Sequence, residues 1–202
     1  MYIKLILFCS ILISCKTRSP LNETNSRSLF NEKDLSGWTV YGTEKWFVKN
    51  QLLICENGKE ENFGYLATNK SYTNFELNLE FKRQTDKSNG GVFLHASLDK
   101  TNANGLQVEI GPPGHNTGGI HTYDSGWLIK PDPIKDNVLK VGSWNHLKIL
   151  LNNDTITVWL NDVKMVNLVN PKVKKQEGLI ALQIHKGHVS KLQWRNIQIK
   201  EL

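Results

Sequence analysis

Phe75-Glu76-Leu77-Asn78-Leu79-Glu80-Phe81 places an apolar side chain at every second position and a polar one in each gap. A period of two is that of a pleated strand, whose successive side chains point to opposite faces. One face of this segment therefore belongs to a core and the other to solvent. Similar short runs recur on both sides of it. Trp46–Val48, Gln51–Cys55 and Tyr65–Thr68 precede it. Gly91–Ala96, Leu106–Ile110, Gly119–Thr122, Trp144–Leu151, Thr155–Leu160, Val163–Val169, Gly178–His185 and Val189–Lys200 follow it. Clusters of Asn, Asp, Gly and Lys separate the runs, as turn-forming residues do. Asn161-Asp162 between two of them predicts a tight hairpin turn. About a dozen strands with almost no helical periodicity predict an all-β, two-sheet antiparallel sandwich. Neither an internal repeat nor a linker divides this region, so one domain is expected.

The front of the chain is a different kind of sequence. Lys4 gives a positive start, and Leu5 to Ile13 is apolar except for Ser10. A run of about nine residues is too short for a stable membrane span, which needs roughly 20, but it suits a secretory signal. Leu12-Ile13-Ser14-Cys15 resembles the lipobox of bacterial lipoproteins. This predicts a signal peptide over 1–14, a lipidated Cys15 and a polar tether over 15–27. Lys16, rather than Asp, follows the cysteine and favours the outer membrane of a bacterial cell envelope. The expected membrane contact is through the lipid alone.

The folded domain is then 28–202, roughly 175 residues, long enough for a proper core. The net charge is +6, but the basic residues are dispersed apart from Lys172, Lys174 and Lys175. No arginine-rich helix or nucleic-acid motif is present, and export argues against such a partner. Cys55 follows Leu52-Leu53-Ile54 and reads as a packing residue; as the one free thiol of the mature chain it has no internal disulfide partner.

Chemistry-bearing residues gather in Gly105–Trp127. There Leu106, Val108 and Ile110 share one face of a strand and Gln107 and Glu109 the other, ahead of the Gly111-Pro112-Pro113-Gly114 turn. The same parity in Gly91–Ala96 puts Phe93 and His95 opposite Val92 and Leu94. In Gly178–His185 it puts Ala181, Gln183 and His185 opposite Ile180, Leu182 and Ile184. If these three strands share a sheet, His95, Gln107, Glu109, Gln183 and His185 converge on one surface, unless a bulge breaks the alternation. Trp127 follows a glycine and reads as a loop residue near that surface. His95, Glu109 and His185 are acceptable metal ligands by type, but no ligand-spacing motif supports a divalent metal, and no cofactor is predicted.

Taken together, Leu29-Phe30-Asn31-Glu32-Lys33-Asp34-Leu35-Ser36-Gly37-Trp38, Gly90-Gly91-Val92-Phe93-Leu94, Gln107-Val108-Glu109-Ile110, Gly118-Gly119-Ile120, Gly126-Trp127-Leu128, Trp144-Asn145, Ala181-Leu182-Gln183-Ile184-His185 and Arg195-Asn196-Ile197-Gln198-Ile199-Lys200 resemble, in order, the 3-keto-disaccharide hydrolase domain family. The resemblance runs from about Ser28 to Leu202. It implies a concanavalin-like jelly roll and an enzyme acting on carbohydrates oxidised at C3. A C3 ketone acidifies the hydrogen on C2; a base removes it, the group on C1 leaves, and water adds back. Glu109 is the candidate base and His185 the second acid/base. Gln107, Gln183, His95 and His121 are candidate sugar contacts, and Trp127 a stacking platform. The chain departs from the family's usual pattern at His95, where arginine is common, and at His121-Thr122-Tyr123-Asp124. The alternative is a non-catalytic carbohydrate-binding module on the same fold, which would show a long open groove with exposed aromatic rings.

Overall fold

The structure, a computed structural model, describes residues 26–57, 62–187 and 190–202. The expected signal peptide, Cys15 and the tether up to residue 25 lie outside the described residues, as does Val189. Fifteen strands are present among the described residues. The first seven are β1 (Ser26–Ser28), β2 (Trp38–Tyr41), β3 (Lys45–Lys49), β4 (Leu52–Glu56), β5 (Gly64–Thr68), β6 (Phe75–Arg83) and β7 (Gly90–Asp99). Then come β8 (Asn102–Ile110), β9 (Ile120–Thr122), β10 (Gly126–Ile129), β11 (Asn145–Asn152), β12 (Thr155–Leu160), β13 (Val163–Val169), β14 (Leu179–Ile184) and β15 (Lys191–Glu201).

The strands form two antiparallel sheets, the two-sheet jelly-roll sandwich expected. One runs β13-β12-β11-β6-β15-β4-β3, with β1 paired to β15, and the other runs β10-β9-β8-β7-β14-β5-β2. Every predicted strand is found. The three unforeseen ones, β1, β2 and β10, sit where alternation is weakest. β2 and β10 are the two edges of the seven-stranded sheet, and β1 pairs only with β15. A short edge strand needs one partner and buries little, so its sequence carries no strong period. Ser26 and Arg27, read as tether, pair with Lys200 and Ile199 in this way. Trp127, read as a loop residue, lies in β10.

The two sheets press their apolar faces together. Phe75, Leu77, Leu79 and Phe81 are fully buried there, as the alternation demands. They meet Leu147, Ile149 and Leu151 on the neighbouring strand, while Leu66, Val92, Val108, Leu182 and Ile184 come from the other sheet. Burying each such side chain contributes about 1.5–3 kcal/mol. Cys55 is part of this core, as expected, and burial pushes its thiol up to about 12. The Asn161-Asp162 turn has both residues at positive φ, 48° and 67°, the twist a two-residue hairpin requires. Asn161 also fastens the neighbouring segment. Its side-chain amide donates to the Val138 carbonyl and to Asn145 Oδ1, and its own oxygen accepts from the His146 N–H.

The seven-stranded sheet carries a second cluster on its outward face: Tyr65, Ala67, Phe93, Ala96, Ala103 and Ala181. One irregularity shapes this face. Between Leu94 and Ser97 the β7–β8 register shifts, so that His95 and Ala96 oppose Gly105 alone. His95 takes φ 51° and Gly105 φ 146°. A side chain at Gly105 would press on the Leu94 carbonyl oxygen at 2.9 Å, so only glycine fits opposite the bulge.

Candidate active site

Register places the polar residues in two rows across the outward face. Gly64–Thr68, Leu179–Ile184, Gly90–Asp99 and Asn102–Ile110 align Tyr65 with Gln183, Gln183 with Gly91, and Gly91 with Glu109. One step along the strands, Ala67, Ala181, Phe93, Gln107, His121 and Trp127 align in the same manner. Strand parity thus supplies the facing directions, and sheet order supplies the neighbours.

Glu109 is the centre of a hydrogen-bonded cluster. Its Oε2 accepts from Gln107 Nε2 at 3.1 Å and lies 3.1 Å from His121 Nε2. Gln107 Nε2 also donates to Gln183 Oε1 at 3.1 Å, so both amide hydrogens of Gln107 are used. Among the described residues none bonds Glu109 Oε1, which faces the Gly111 side of the strand end. Glu109 is 6% exposed, Gln107 4% and Gln183 2%, so these bonds form largely out of water, where each is worth more than at the surface. Gln107 can lie across β7 because Gly91 has no side chain. A Cβ there would stand 2.7 Å from Gln107 Nε2 and 2.8 Å from the Val108 carbonyl.

Parity is right for Gln107, Glu109 and Gln183, and wrong for His95. The bulge turns His95 away from the outward face; its Nε2 lies 2.8 Å from the Thr73 carbonyl and its ring stands edge-on to the core residue Phe75. Ala96 takes the outward position instead. His95 is therefore part of a kink in the β7–β8 hairpin and not a member of the Glu109 cluster. His185 follows β14 beyond Gln183. Its ring meets Phe63 edge-on at 4.9 Å and its Nδ1 lies 2.8 Å from the Lys186 carbonyl. The imidazole bonded to Glu109 is that of His121, which the sequence reading gave a sugar-contact role. Trp127 lies against His121, ring centroids 4.8 Å apart, with Lys130 Nζ over its indole at 5.6 Å. Glycine at 119 admits this ring, since a Cβ would touch it at 2.8 Å. Trp127 is 38% exposed and Tyr123 83% exposed, which puts two aromatic rings at the solvent edge of the cluster.

Tyr65 escaped the sequence reading. Its signal was present, since Tyr65 and Ala67 share a parity, but nothing local says that β5 lies beside β14. Burial is the main cause raising its phenol above the ordinary tyrosine range, opposed by the nearby Gln183 amide. Glu109 and His121 are the only two ligand-type side chains that meet here; no group of three His, Cys, Asp or Glu able to hold a metal occurs among the described residues. A cavity of about 240 Å³ opens elsewhere, on the far side of the Gly111–Gly118 loop. Leu139, Leu160, Met165 and the Asp132–Asp136 turn line it, and none of the Glu109 cluster does.

Comparison with known proteins adds a family and a fold. A family described as the 3-keto-alpha-glucoside-1,2-lyase-like domain matches residues 25–200. Two crystal structures of candidate glycosyl hydrolases from Parabacteroides distasonis are similar in fold. One is 17% identical with a TM-score of 0.67, covering 89% of this chain and 95% of that one. The other is 26% identical with a TM-score of 0.64, covering 88% and 99%. The carbohydrate-binding module CBM66 of Bacillus subtilis is 14% identical with a TM-score of 0.60, covering 82% of this chain and 96% of its own. No curated protein matches the chain.

Proposed function

The chain belongs to the family of 3-keto-alpha-glucoside-1,2-lyase-like domains, and from that premise we propose that it cleaves glycosides whose sugar carries a ketone at C3. The observation that carries this reading is Glu109, a shielded carboxylate with one oxygen held by Gln107 and His121 and the other uncommitted. The uncommitted oxygen suits removal of the C2 proton, because the C3 ketone takes up the resulting negative charge as an enolate. Both contacts at Oε2 fix the direction of the carboxylate. His121 holds the carboxylate and can take its proton onward; its Nε2 is the nearest titratable partner. Gln107 lies over Gly91 and bonds Gln183, so sugar hydroxyls at this row would meet amides rather than carbon. Trp127 offers a ring face for the apolar side of a pyranose. Collapse of the enolate then expels the C1 substituent, and water adds at C1 to give net hydrolysis. In this reading His185, just past Leu179–Ile184 and against Phe63, is the second acid/base.

The decisive experiment compares aglycone release from 3-keto-glucosides and from their unoxidised parents. The expected result is turnover of the keto form only, with Glu109→Gln lowering kcat by about 10²–10⁴-fold. Wild-type turnover by that variant would remove Glu109 from the reaction. A second reading is a carbohydrate-binding module, favoured by the exposed Trp127 and Tyr123 beside the cluster and by the likeness to CBM66. Binding of both sugar forms without turnover of either would select it.

We propose that the protein is held at the bacterial outer membrane by acyl chains on Cys15. Leu12-Ile13-Ser14-Cys15 and the following Lys16 support this reading. Incorporation of labelled palmitate that is lost in Cys15→Ala would test it.

A further inference from the structure

The cavity beside Leu139, Leu160 and Met165 has fixed walls. Parts of both sheets line it: Leu160 and Met165 belong to β12 and β13, and loop 111–118 joins β8 to β9. The 3₁₀ turn Pro133–Val138 supplies the remaining side. That turn is tied in three directions. Lys135 Nζ donates to the Lys164 and Met165 carbonyls of β13 at 2.8 and 3.4 Å. Asp136 Oδ2 accepts from the Gly114 N–H of the loop at 2.8 Å, and Asn161 Nδ2 donates to the Val138 carbonyl at 2.8 Å. Glycine at 118 lets Met165 press against the loop, since a Cβ there would stand 2.8 Å from Met165 Cγ. The space is therefore preformed, as ligand sites usually are.

Its floor is apolar, because Leu139, Leu160 and Met165 are buried core residues and Pro131 is buried too. Several of its polar groups are already spent. Asp132 Oδ1 accepts from the Ile134 N–H at 3.0 Å, the Thr117 hydroxyl bridges the N–H and carbonyl of Gly111, and the Lys135 ammonium holds its two carbonyls. Among the described residues nothing bonds Asp132 Oδ2, Asp136 Oδ1 or the Asn116 side chain. What remains for a ligand is thus two carboxylate oxygens, which only accept, and one amide. An anion would meet two carboxylates, and a second ammonium would meet Lys135. A neutral ring with an apolar face and several hydroxyl donors suits both floor and rim. At about 240 Å³ the cavity is smaller than the roughly 300–1,000 Å³ of drug-sized sites, which leaves room for one ring and not for a chain.

We propose that this cavity binds one neutral sugar ring, as a site separate from the Glu109 cluster. Loop 111–118 is the wall between the two. Gly114, Asn116 and Thr117 line the cavity, while Gly111 lies on the Glu109 side, its Cβ position 3.1 Å from Glu109 Oε1. The cavity needs no ketone on the sugar, so the proposal stands apart from the keto-glycoside reading. Its function is retention: it grips an unoxidised sugar unit on the side of the loop away from Glu109.

The test is titration of the ¹⁵N-labelled protein with glucose, galactose and mannose, none of which carries a ketone at C3, followed in amide NMR spectra. Expected are saturable shifts at Gly114, Asn116, Lys135 and Asp136 for at least one of them, with a Kd on the order of 1–10 mM. Glucose 6-phosphate and glucosamine should bind about tenfold more weakly, as their charges meet Asp132 and Asp136 or Lys135. Asp132→Asn and Asp136→Asn each keep an oxygen for the Ile134 or Gly114 N–H and put an amide donor in place of the free carboxylate oxygen. Each should weaken sugar binding by about fivefold or more with little change in Tm. Shifts confined to Gly91, Gln107 and Glu109 would place the sugars on the Glu109 face alone and overturn the proposal. Tighter binding of either charged sugar, unchanged affinity in both variants, or no saturable shift from any sugar up to about 100 mM would overturn it equally.

Discussion

Gly91→Ala tests whether the Glu109 cluster is built on an absent side chain. The new Cβ would lie 2.7 Å from Gln107 Nε2, 2.9 Å from Gln107 Cγ and 2.8 Å from the Val108 carbonyl oxygen. The carbonyl is in the β7–β8 ladder and moves little, so most of the relief must come from Gln107. Overfilling a packed site costs about 1–3 kcal/mol. Swinging Gln107 aside leaves Gln183 Oε1 without its buried donor, which costs about another 1–3 kcal/mol. A net loss of about 3 kcal/mol follows, equivalent to a fall in Tm of roughly 6–12 °C for a domain of this size. Urea unfolding followed by tryptophan fluorescence measures it. The discriminating measurement is the cycle with Gln107→Ala. Removing that side chain eliminates two of the three close contacts, so Gly91→Ala should cost at least about 1 kcal/mol less in that background. Additivity within about 0.5 kcal/mol would refute the reasoning, because it would mean that the methyl never meets Gln107.

The remaining expectations concern the frame. Asn161→Ala removes three side-chain hydrogen bonds from a residue at positive φ and should cost about 2–4 kcal/mol in urea unfolding, against little change for the exposed Asp162→Gly. Cys55, its thiol pushed up to about 12 by burial, should resist a thiol reagent in the folded protein and label at the rate of unfolding, read by mass spectrometry of its peptide. Fast labelling under native conditions would contradict its placement. Glu201 is held below the usual carboxylate range chiefly by its hydrogen bond to Lys70, with Arg27 adding to it. A depressed folded value means that the unfolded chain binds the proton first. The small stabilisation is therefore complete above the ordinary carboxylate range and fades as pH falls through the depressed value. Glu201→Gln should flatten that acid limb of a Tm–pH curve, and an unchanged limb would count against the pairing.

Much of this protein is legible in one dimension because a strand writes its two faces into alternate residues. Phe75 to Phe81 announces a half-buried strand, and its four apolar residues are all in the core. The parity of Leu106–Ile110 sends Gln107 and Glu109 outward, and that of Leu179–Ile184 does the same for Gln183. Asn161-Asp162 writes its own turn, since few residues tolerate positive φ twice in succession. Edge strands such as β10 write much less, because one hydrogen-bonded partner and partial exposure impose no strict period.

What the chain could not state alone is who sits beside whom. Tyr65 and Glu109 are far apart in sequence, and only the order β8-β7-β14-β5 brings them to the two ends of one row. That order is settled by the packing of two whole sheets, a non-local balance that no short window contains. The same holds for His95, where one extra residue in β7 reverses the face and sends a polar side chain to the core edge. It holds for the carboxylate's partner too: His121 becomes the neighbour of Glu109 because β9 lies next to β8. The sequence by itself determined the all-β class, the outward direction of Gln107, Glu109 and Gln183, and the family. The tertiary structure decided which outward residues form one cluster, because facing is set by a local period and adjacency by the fold as a whole.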